Sequence, residues 1–467
     1  MIPLSLREVA AVTSGRVLPE GAGAVLVDRG VFTDSRECGP GTLYVARSGE
    51  HADGHDFVAA AVDAGAVAAL TARRVGVLPQ VVVDDVQDAF GLLGRAVVDR
   101  CRADGGLRIV GITGSSGKTS TKDLMAQVIS RLGPTLAPVE SYNSEVGVPL
   151  TVCRLTRDTA YLVAEMGASG AGHIEYLTGI APPEVGVVLN VGSAHLGEFG
   201  SREAIAHAKA ELVRALPADG LAVLNADDPR VAAMAAQTVA RVVLVGTGPQ
   251  AQVRAEQVQL DERGRAGFAL VVPGCEPVDV QLALHGRHHV ANALAVAAVA
   301  HEWGLPVAQI AEALTSAAPR SRWRMQVTTR PDGVTVVNDA YNANPESMGA
   351  ALHALAAMRG RGRTLAVVGE MLELGVDSAA AHRAVGEQAA GLGIDRVLAV
   401  GAAQPVAEGF VGGGGEPDAA QVVPDVTAAR TLLAKLLLPG DVVLLKSSRD
   451  SGLRHLGDAL AQVIPPT

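Results

Sequence analysis

The sequence predicts an α/β protein of three domains, and three observations carry that expectation. A glycine-rich loop directly follows the apolar run at 107–112, strand and helix signals alternate on both sides of residue 320, and 467 residues exceed one ordinary core. The expected parts are a small N-terminal α/β domain (1–106), a central P-loop domain with a mainly parallel sheet (107–318) and a C-terminal Rossmann-like domain (319–467).

In the first part, strands are expected at 43–46 and 81–83 and helices at 56–64 and 88–102. From 107 onward the pattern predicts strands at 108–112, 160–165, 185–190 and 221–224, with helices at 122–131 and 201–216. A polar, strand-rich insert at 253–284 precedes a strongly apolar helix at 289–302. Pro319 and several arginines break the pattern at 317–323. Strands then recur at 334–338, 364–368, 396–400 and 441–445, and helices at 346–358, 379–392 and 428–437.

Composition narrows the function classes. Hydrophobic residues make up 48% of the chain but aromatics only 3%, so Ala, Val and Leu must fill the cores. The 39 basic and 49 acidic side chains give a formal charge of -10, with no Lys/Arg block to track a phosphodiester backbone, so nucleic acid is not an expected partner. Cys38, Cys101, Cys153 and Cys275 lack paired spacing and read as buried thiols in a reducing compartment. Arg7 and Glu8 interrupt any signal-peptide core, and apolar runs such as 293–300 fall short of the ~20 residues of a membrane span. A cytoplasmic monomer without a membrane span is expected.

Gly111-Ile-Thr-Gly-Ser-Ser-Gly-Lys-Thr119 carries the chemistry. Backbone N–H groups around Gly114, Ser115, Ser116 and Gly117 would cradle phosphate, Lys118 would reach the terminal phosphates, and Thr119 would hold magnesium, with Ser120 beside it in the first helical turn. Ile112 stands where the common form of this loop has glycine. Glu165 ends an apolar strand at the sheet edge where ligands bind, as a magnesium ligand or an ordinary strand-end acid. His195 in a Gly-rich loop reads equally as a second metal ligand or an exposed side chain.

Lys209 falls within the apolar stripe of its helix. Either its stem snorkels outward, or its uncharged amine adds carbon dioxide to become a carbamate. Asn292 would meet a nucleobase edge or satisfy backbone at a helix start. Asn338-Asp339-Ala-Tyr341-Asn342-Ala-Asn344-Pro345 suits both turn making and capping, and Lys446 and Arg449 put cations at a strand terminus.

Taken in order, these residues resemble the Mur ligase family, the ATP-dependent amide-forming enzymes of bacterial peptidoglycan precursor synthesis. The likeness also rests on Ser141-Tyr-Asn143-Ser-Glu-Val-Gly-Val-Pro149, on Lys209 in Ala-Lys-Ala-Glu, and on Leu224-Asn-Ala-Asp-Asp-Pro229. Folylpolyglutamate synthases share the central motifs, but their phosphate loop lies near the N-terminus, whereas here over a hundred residues precede it. That leading part, with Thr33-Asp34-Ser35-Arg36, resembles a uridine-nucleotide domain, and Gly369-Glu-Met-Leu-Glu-Leu-Gly375 resembles members that add D-alanyl-D-alanine. The Asp-Asn-Pro-Arg motif of the diaminopimelate- or lysine-adding members is missing from the C-terminal part.

The resemblance implies a central P-loop ATPase domain, and a reaction in which ATP activates the carboxylate of UDP-N-acetylmuramoyl-tripeptide as an acyl phosphate for attack by D-alanyl-D-alanine. It implies catalytic roles for Lys118, Glu165, His195 and Lys209, with Thr119 and Glu165 on one magnesium and His195 and carbamylated Lys209 on a second. Asn292, Arg324 and Asp339 would contact the nucleotide, Arg324 being assigned over Arg322 although Ser321-Arg-Trp-Arg324 departs from the family's Gly-Arg pair. Ser35, Arg36 and Asn143 would contact the nucleotide-peptide, and Asn342, Asn344, Lys446 and Arg449 the remaining substrate groups. The alternatives are a related ligase with a different acceptor and a nucleotide-dependent switch.

Overall fold

The computed structural model describes residues 1–49, 52–76, 79–194 and 196–462, and His195 lies outside them. Among the described residues three α/β domains follow one another, built on sheets of five, nine and six strands, with a separate two-stranded pair near the N-terminus.

The N-terminal domain opens on the helix Leu6–Val12, started by a capping box between Ser5 and Glu8. Its five strands lie in the order Arg16–Leu18, Gln80–Val82, Ala68–Thr71, Thr42–Val45, Gly30–Phe32, parallel except for the first pair. The helix Val86–Gly105, capped by Asp85 and ended by left-handed Gly106, carries Phe90, Leu93 and Val97 into a core continuous with the central domain.

In the central sheet Arg108–Thr113 sits between Tyr161–Glu165 and Val185–Val188, parallel to both. The chain leaves this strand toward the edge strand Thr135–Leu136, whereas it leaves Tyr161–Glu165 the other way, to Val185–Val188, so a crevice opens at the carboxyl ends of the two adjacent strands. The helices Lys118–Ile129 and His289–Glu302 bury one face of the sheet, while His173–Ile180 and Arg202–Arg214 bury the other. The expected insert is an antiparallel extension, Val253–Leu260, Arg265–Val271 and Val278–His285.

The C-terminal sheet runs Gln326–Thr329, Thr335–Asn338, Val442–Lys446, Thr364–Val368, Arg396–Val400, Ala420–Val423, with only the first pair antiparallel. Apolar clusters cover both of its faces.

Three expectations need correction. The phosphate-loop helix begins at Lys118 rather than 122, because its polar first turn hides the apolar period that starts at Leu124. Short helices at Gly147–Val152, His173–Ile180 and Val307–Ser316 carry too few turns to register as periodic. Cys275 is exposed and Cys38 half-buried, so only Cys101 and Cys153 are buried thiols. Among the described residues no helix is long and apolar enough to cross a membrane.

Candidate active site

The phosphate loop connects Arg108–Thr113 to Lys118–Ile129. Gly117 holds φ at 80°, and a Cβ there would come 2.9 Å from Asn292 Oδ1, so glycine is required for both conformation and space. Ile112 is a fully buried strand residue whose carbonyl accepts from Met166 N; the loop bends only after Thr113, which leaves no need for glycine at 112. Ser115 N donates to the Asn190 carbonyl (3.1 Å), Ser116 N to Asn190 Oδ1 (2.9 Å), and Ser115 Oγ accepts from Gly192 N (2.9 Å). The loop is thereby tied to the segment after the strand Val185–Val188.

Lys118 folds back so that Nζ donates to the Gly114 carbonyl at 2.7 Å. Burial pushes its pKa down and Arg324 adds to that, while Glu165 and Glu373 oppose it. Glu165, 1% exposed, takes a hydrogen bond on Oε1 from Asn143 Nδ2 (2.7 Å), while its buried Oε2 has no partner. A buried carboxylate oxygen without a donor is costly, and a cation satisfies it. Thr119 Oγ1, also in this cavity, lies 2.9 Å from Ser141 Oγ. Among the described residues no group of three His, Cys, Asp or Glu forms a metal cluster, so a cation here would rest on one carboxylate, one hydroxyl and the ligand's own oxygens.

Lys209, on the helix Arg202–Arg214 capped by Ser201, is 5% exposed, which rules out the snorkelling alternative. Burial drives its pKa well below the usual lysine value, and nearby Lys118 adds to the effect. Asn292 lies in the fourth position of its helix, buried beside Gly117, with Nδ2 3.3 Å from His289 Nδ1; it is not a backbone cap. His288 and His289 line the same cavity, and burial holds His288 at about 4 and pushes His289 well below the usual histidine range, so both rings are neutral near pH 7.

The C-terminal domain closes this space. Arg324 Nη2 reaches Ser141 Oγ (2.6 Å) and stacks 4.2 Å from the Tyr341 ring, whereas Arg322 turns outward to Asp458, so Arg324 and not Arg322 lines the cavity. Lys446, 3% exposed, pairs with Asp339 Oδ2 at 2.6 Å and donates to the Asn342 carbonyl at 3.0 Å. Its charge is therefore engaged within the domain. Asn344 caps the helix Pro345–Ala357 and its Nδ2 approaches the Ser115 carbonyl at 3.4 Å; Arg449 lies over Tyr341 at 5.7 Å.

These residues surround a cavity of about 600 Å³, lined by the phosphate loop from Ser115 to Ser120, Glu165, Asn292, Arg324, Asp339, Asn342, Asn344, Lys446 and Arg449. A second cavity of about 500 Å³ shares Lys118 and Asn143 with it and runs past Ser169 and His173 to Gln87 and Asp88 of the N-terminal domain's long helix. Ser35 and Arg36 line neither; Arg36 pairs with Asp34 near the protein surface. Gly114 and Lys209 line neither cavity, Gly114 lending its carbonyl to Lys118, and His195 falls outside the described residues.

Several residues of the site escaped the sequence reading. Glu346 accepts from Ser193 N (3.0 Å) and Oγ (2.8 Å) and pairs with Arg202 (3.2 Å), which joins the C-terminal domain to the loop after Asn190. A Cβ on Gly192 would meet Glu346 at 2.7 Å, so glycine permits that approach. Tyr341 and Ser141 lay within the quoted motifs and His288 just before the apolar helix at 289–302, but nothing in local spacing tells a cavity side chain from a turn residue.

Three family models match the chain: the Mur ligase family catalytic domain over 29–98, the Mur ligase middle domain over 112–300, and the Mur ligase glutamate ligase domain over 323–449. A UDP-N-acetylmuramoyl-tripeptide--D-alanyl-D-alanine ligase of Mycobacterium bovis is 48% identical, over 98% of each chain. The Escherichia coli enzyme of that name is 37% identical over 99% of each. A crystal structure of MurF from Acinetobacter baumannii superposes with TM-score 0.88 at 30% identity over 99% of both chains. MurF ligase from Thermotoga maritima in complex with ADP gives TM-score 0.80 at 29% identity over 93% of this chain and 98% of that one.

Proposed function

Because the chain belongs to the Mur ligase family, we propose that it uses ATP to join D-alanyl-D-alanine to UDP-N-acetylmuramoyl-tripeptide in peptidoglycan precursor synthesis. The observation that carries this reading is the pair of cavities meeting at Lys118, one beneath the C-terminal domain and one reaching the N-terminal helix. A phosphate-binding lysine between two ligand spaces suits transfer of a phosphoryl group from one ligand to the other.

The tripeptide's terminal carboxylate oxygen attacks the γ-phosphorus of ATP, and the bond to the bridging oxygen of ADP breaks. The dipeptide amine then attacks the acyl carbon, a tetrahedral intermediate forms, and phosphate departs with the carboxylate's oxygen. The backbone N–H groups of Gly117 to Ser120 hold the phosphates, those of Ser115 and Ser116 being bound to Asn190, and Lys118 turns from the Gly114 carbonyl to the transferred group, where its charge offsets the developing negative charge. Thr119 and the unpartnered oxygen of Glu165 would hold a magnesium ion, whose contribution there is neutralisation of phosphate charge. Asn292, Arg324 and Asp339 contact the nucleotide. Ser35, Arg36 and Asn143 serve the nucleotide-peptide, and Asn342, Asn344, Lys446 and Arg449 orient the reacting groups.

Lys209 is assigned as a carbamate. Its neutral amine nitrogen bonds the carbon of carbon dioxide and releases one proton, which turns the buried amine into a carboxylate able to hold a second magnesium with His195. Lys209→Ala is expected to abolish ligation without rescue by bicarbonate; unchanged activity would overturn the assignment.

The units 1–106, 107–318 and 319–467 are proposed as nucleotide-peptide, ATP and dipeptide domains. A monomer is proposed, and ATP supply points to the cytoplasm. The chemistry is tested with isotopically labelled oxygen in the tripeptide's terminal carboxylate. One of the two labelled oxygens should appear in inorganic phosphate while the other stays in the amide carbonyl; phosphate released without label would exclude the acyl phosphate.

A further inference from the structure

Residues 318–325 cross from the central to the C-terminal domain and are anchored on both sides. Toward the centre, Gln127 Nε2 donates to the Ala318 carbonyl and Oε1 accepts from its amide, both at 3.0 Å, while Asp123 Oδ2 accepts from Ser321 N at 3.0 Å. Toward the C-terminal domain, Trp323 Nε1 donates to Asp458 (2.9 Å) and Met325 N to Asp339 Oδ1 (3.0 Å). Between the anchors, Trp323 and Met325 adopt φ of 59° and 48°, where side-chain-bearing residues are uncommon. Arg324 lies at this pivot, yet its side chain reaches back to Ser141 Oγ, which in turn lies 2.9 Å from Thr119 Oγ1.

We propose that Ser141 is a positioning residue, which orients the Thr119 hydroxyl for a divalent cation when Arg324 docks against it. A guanidinium has no lone pair, so Ser141 must accept from Arg324. Ser141 keeps its own proton and a second lone pair, so the 2.9 Å bond to Thr119 forms in either direction and leaves at least one Thr119 lone pair for the cation. With Arg324 withdrawn, Ser141 Oγ loses the bond that fixes it, and the Thr119 hydroxyl loses a fixed neighbour. Two residues further on, Asn143 holds Glu165 Oε1 and leaves Oε2 open, so the segment 141–143 prepares both cation-holding side chains. Docking of the C-terminal domain is thereby linked to cation affinity. The inference rests on the reading of Thr119 as a cation ligand.

The test is calorimetric titration with ADP, in magnesium and in EDTA, on the full chain and on Ser141→Ala, Ser141→Thr and Arg324→Met. Ser141→Ala should weaken ADP binding roughly five- to tenfold in magnesium, the worth of one hydrogen bond, and leave the EDTA value unchanged. Ser141→Thr, which keeps the hydroxyl, should match the parent in both buffers. Arg324→Met should lower the magnesium-to-EDTA affinity ratio by a similar factor, and the Ser141→Ala/Arg324→Met double variant no further. Equal losses in both buffers, no loss in either, or additive losses in the ratio would each overturn the proposal. A parent chain whose ADP affinity ignores magnesium would remove the cation reading of Thr119 as well, whereas magnesium dependence untouched by Ser141→Ala overturns the relay alone.

Discussion

Two buried lysines of the central domain have opposite environments. Lys122, 1% exposed, pairs with Asp123 at 2.6 Å and donates to the Pro138 carbonyl at 2.8 Å. Lys209, 5% exposed, has neither a hydrogen bond nor an ion pair among the described residues. An unpaired ammonium costs several kcal/mol to bury, so Lys209 favours the neutral amine that reacts with carbon dioxide. Asp123→Ala should strand the Lys122 charge and lower central-domain stability by about 3 kcal/mol in denaturant unfolding. Lys209→Met, similar in volume, should leave the unfolding transition in place while ligation is lost; a large drop in stability would mean that the amine has a structural partner. The carboxylate at the strand end and the lysine in the apolar stripe were legible as residue types in place. The orphaned Glu165 oxygen was not, because its neighbour Asn143 comes from a segment 22 residues away in sequence.

At the scale of elements, caps and latches decide where side chains stand. The capping box of Leu6–Val12 holds Glu8 at a pKa of about 2 against 4.5, through the Ser5 backbone, then the Ser5 side chain, then Arg100. On acidification the unfolded chain takes up this proton first. The contribution is therefore complete above pH 4.5 and fades as pH falls toward 2. Solvent exposure keeps it under about 1 kcal/mol. Glu8→Gln should shift acid unfolding only within that window, read by circular dichroism along a pH titration. The helix Pro345–Ala357 projects Glu346 onto the loop that begins at Asn190, and that loop positions Ser115 and Ser116. Glu346→Ala removes charge-assisted bonds worth about 2 kcal/mol, so kcat should fall about thirtyfold while the chain stays folded. An unchanged kcat in steady-state assays would show that the latch does not hold the loop. Periodicity located most of the long helices, including His289–Glu302 at its ends, because each buries a continuous apolar face. Glu346 was readable only as a residue after a capping asparagine, since its partners lie more than a hundred residues away.

For the molecule as a whole, alternation of strand and helix was enough to foresee three α/β domains and the crevice beside the phosphate loop. The docking of the C-terminal domain had no local signal: it depends on Arg324, Asn344 and Glu346 meeting Ser141, Ser115 and Ser193 across the linker. Two cavities that share Lys118 make a specific demand, since phosphoryl transfer needs both occupied at once. The most direct measurement is ADP release in a coupled assay with ATP, magnesium, UDP-N-acetylmuramoyl-tripeptide and D-alanyl-D-alanine, each omitted in turn. The account predicts that sustained ADP release requires both peptide substrates and matches the amide product one for one. ADP release that ignores both would contradict it and return the chain to the class of nucleotide-driven switches.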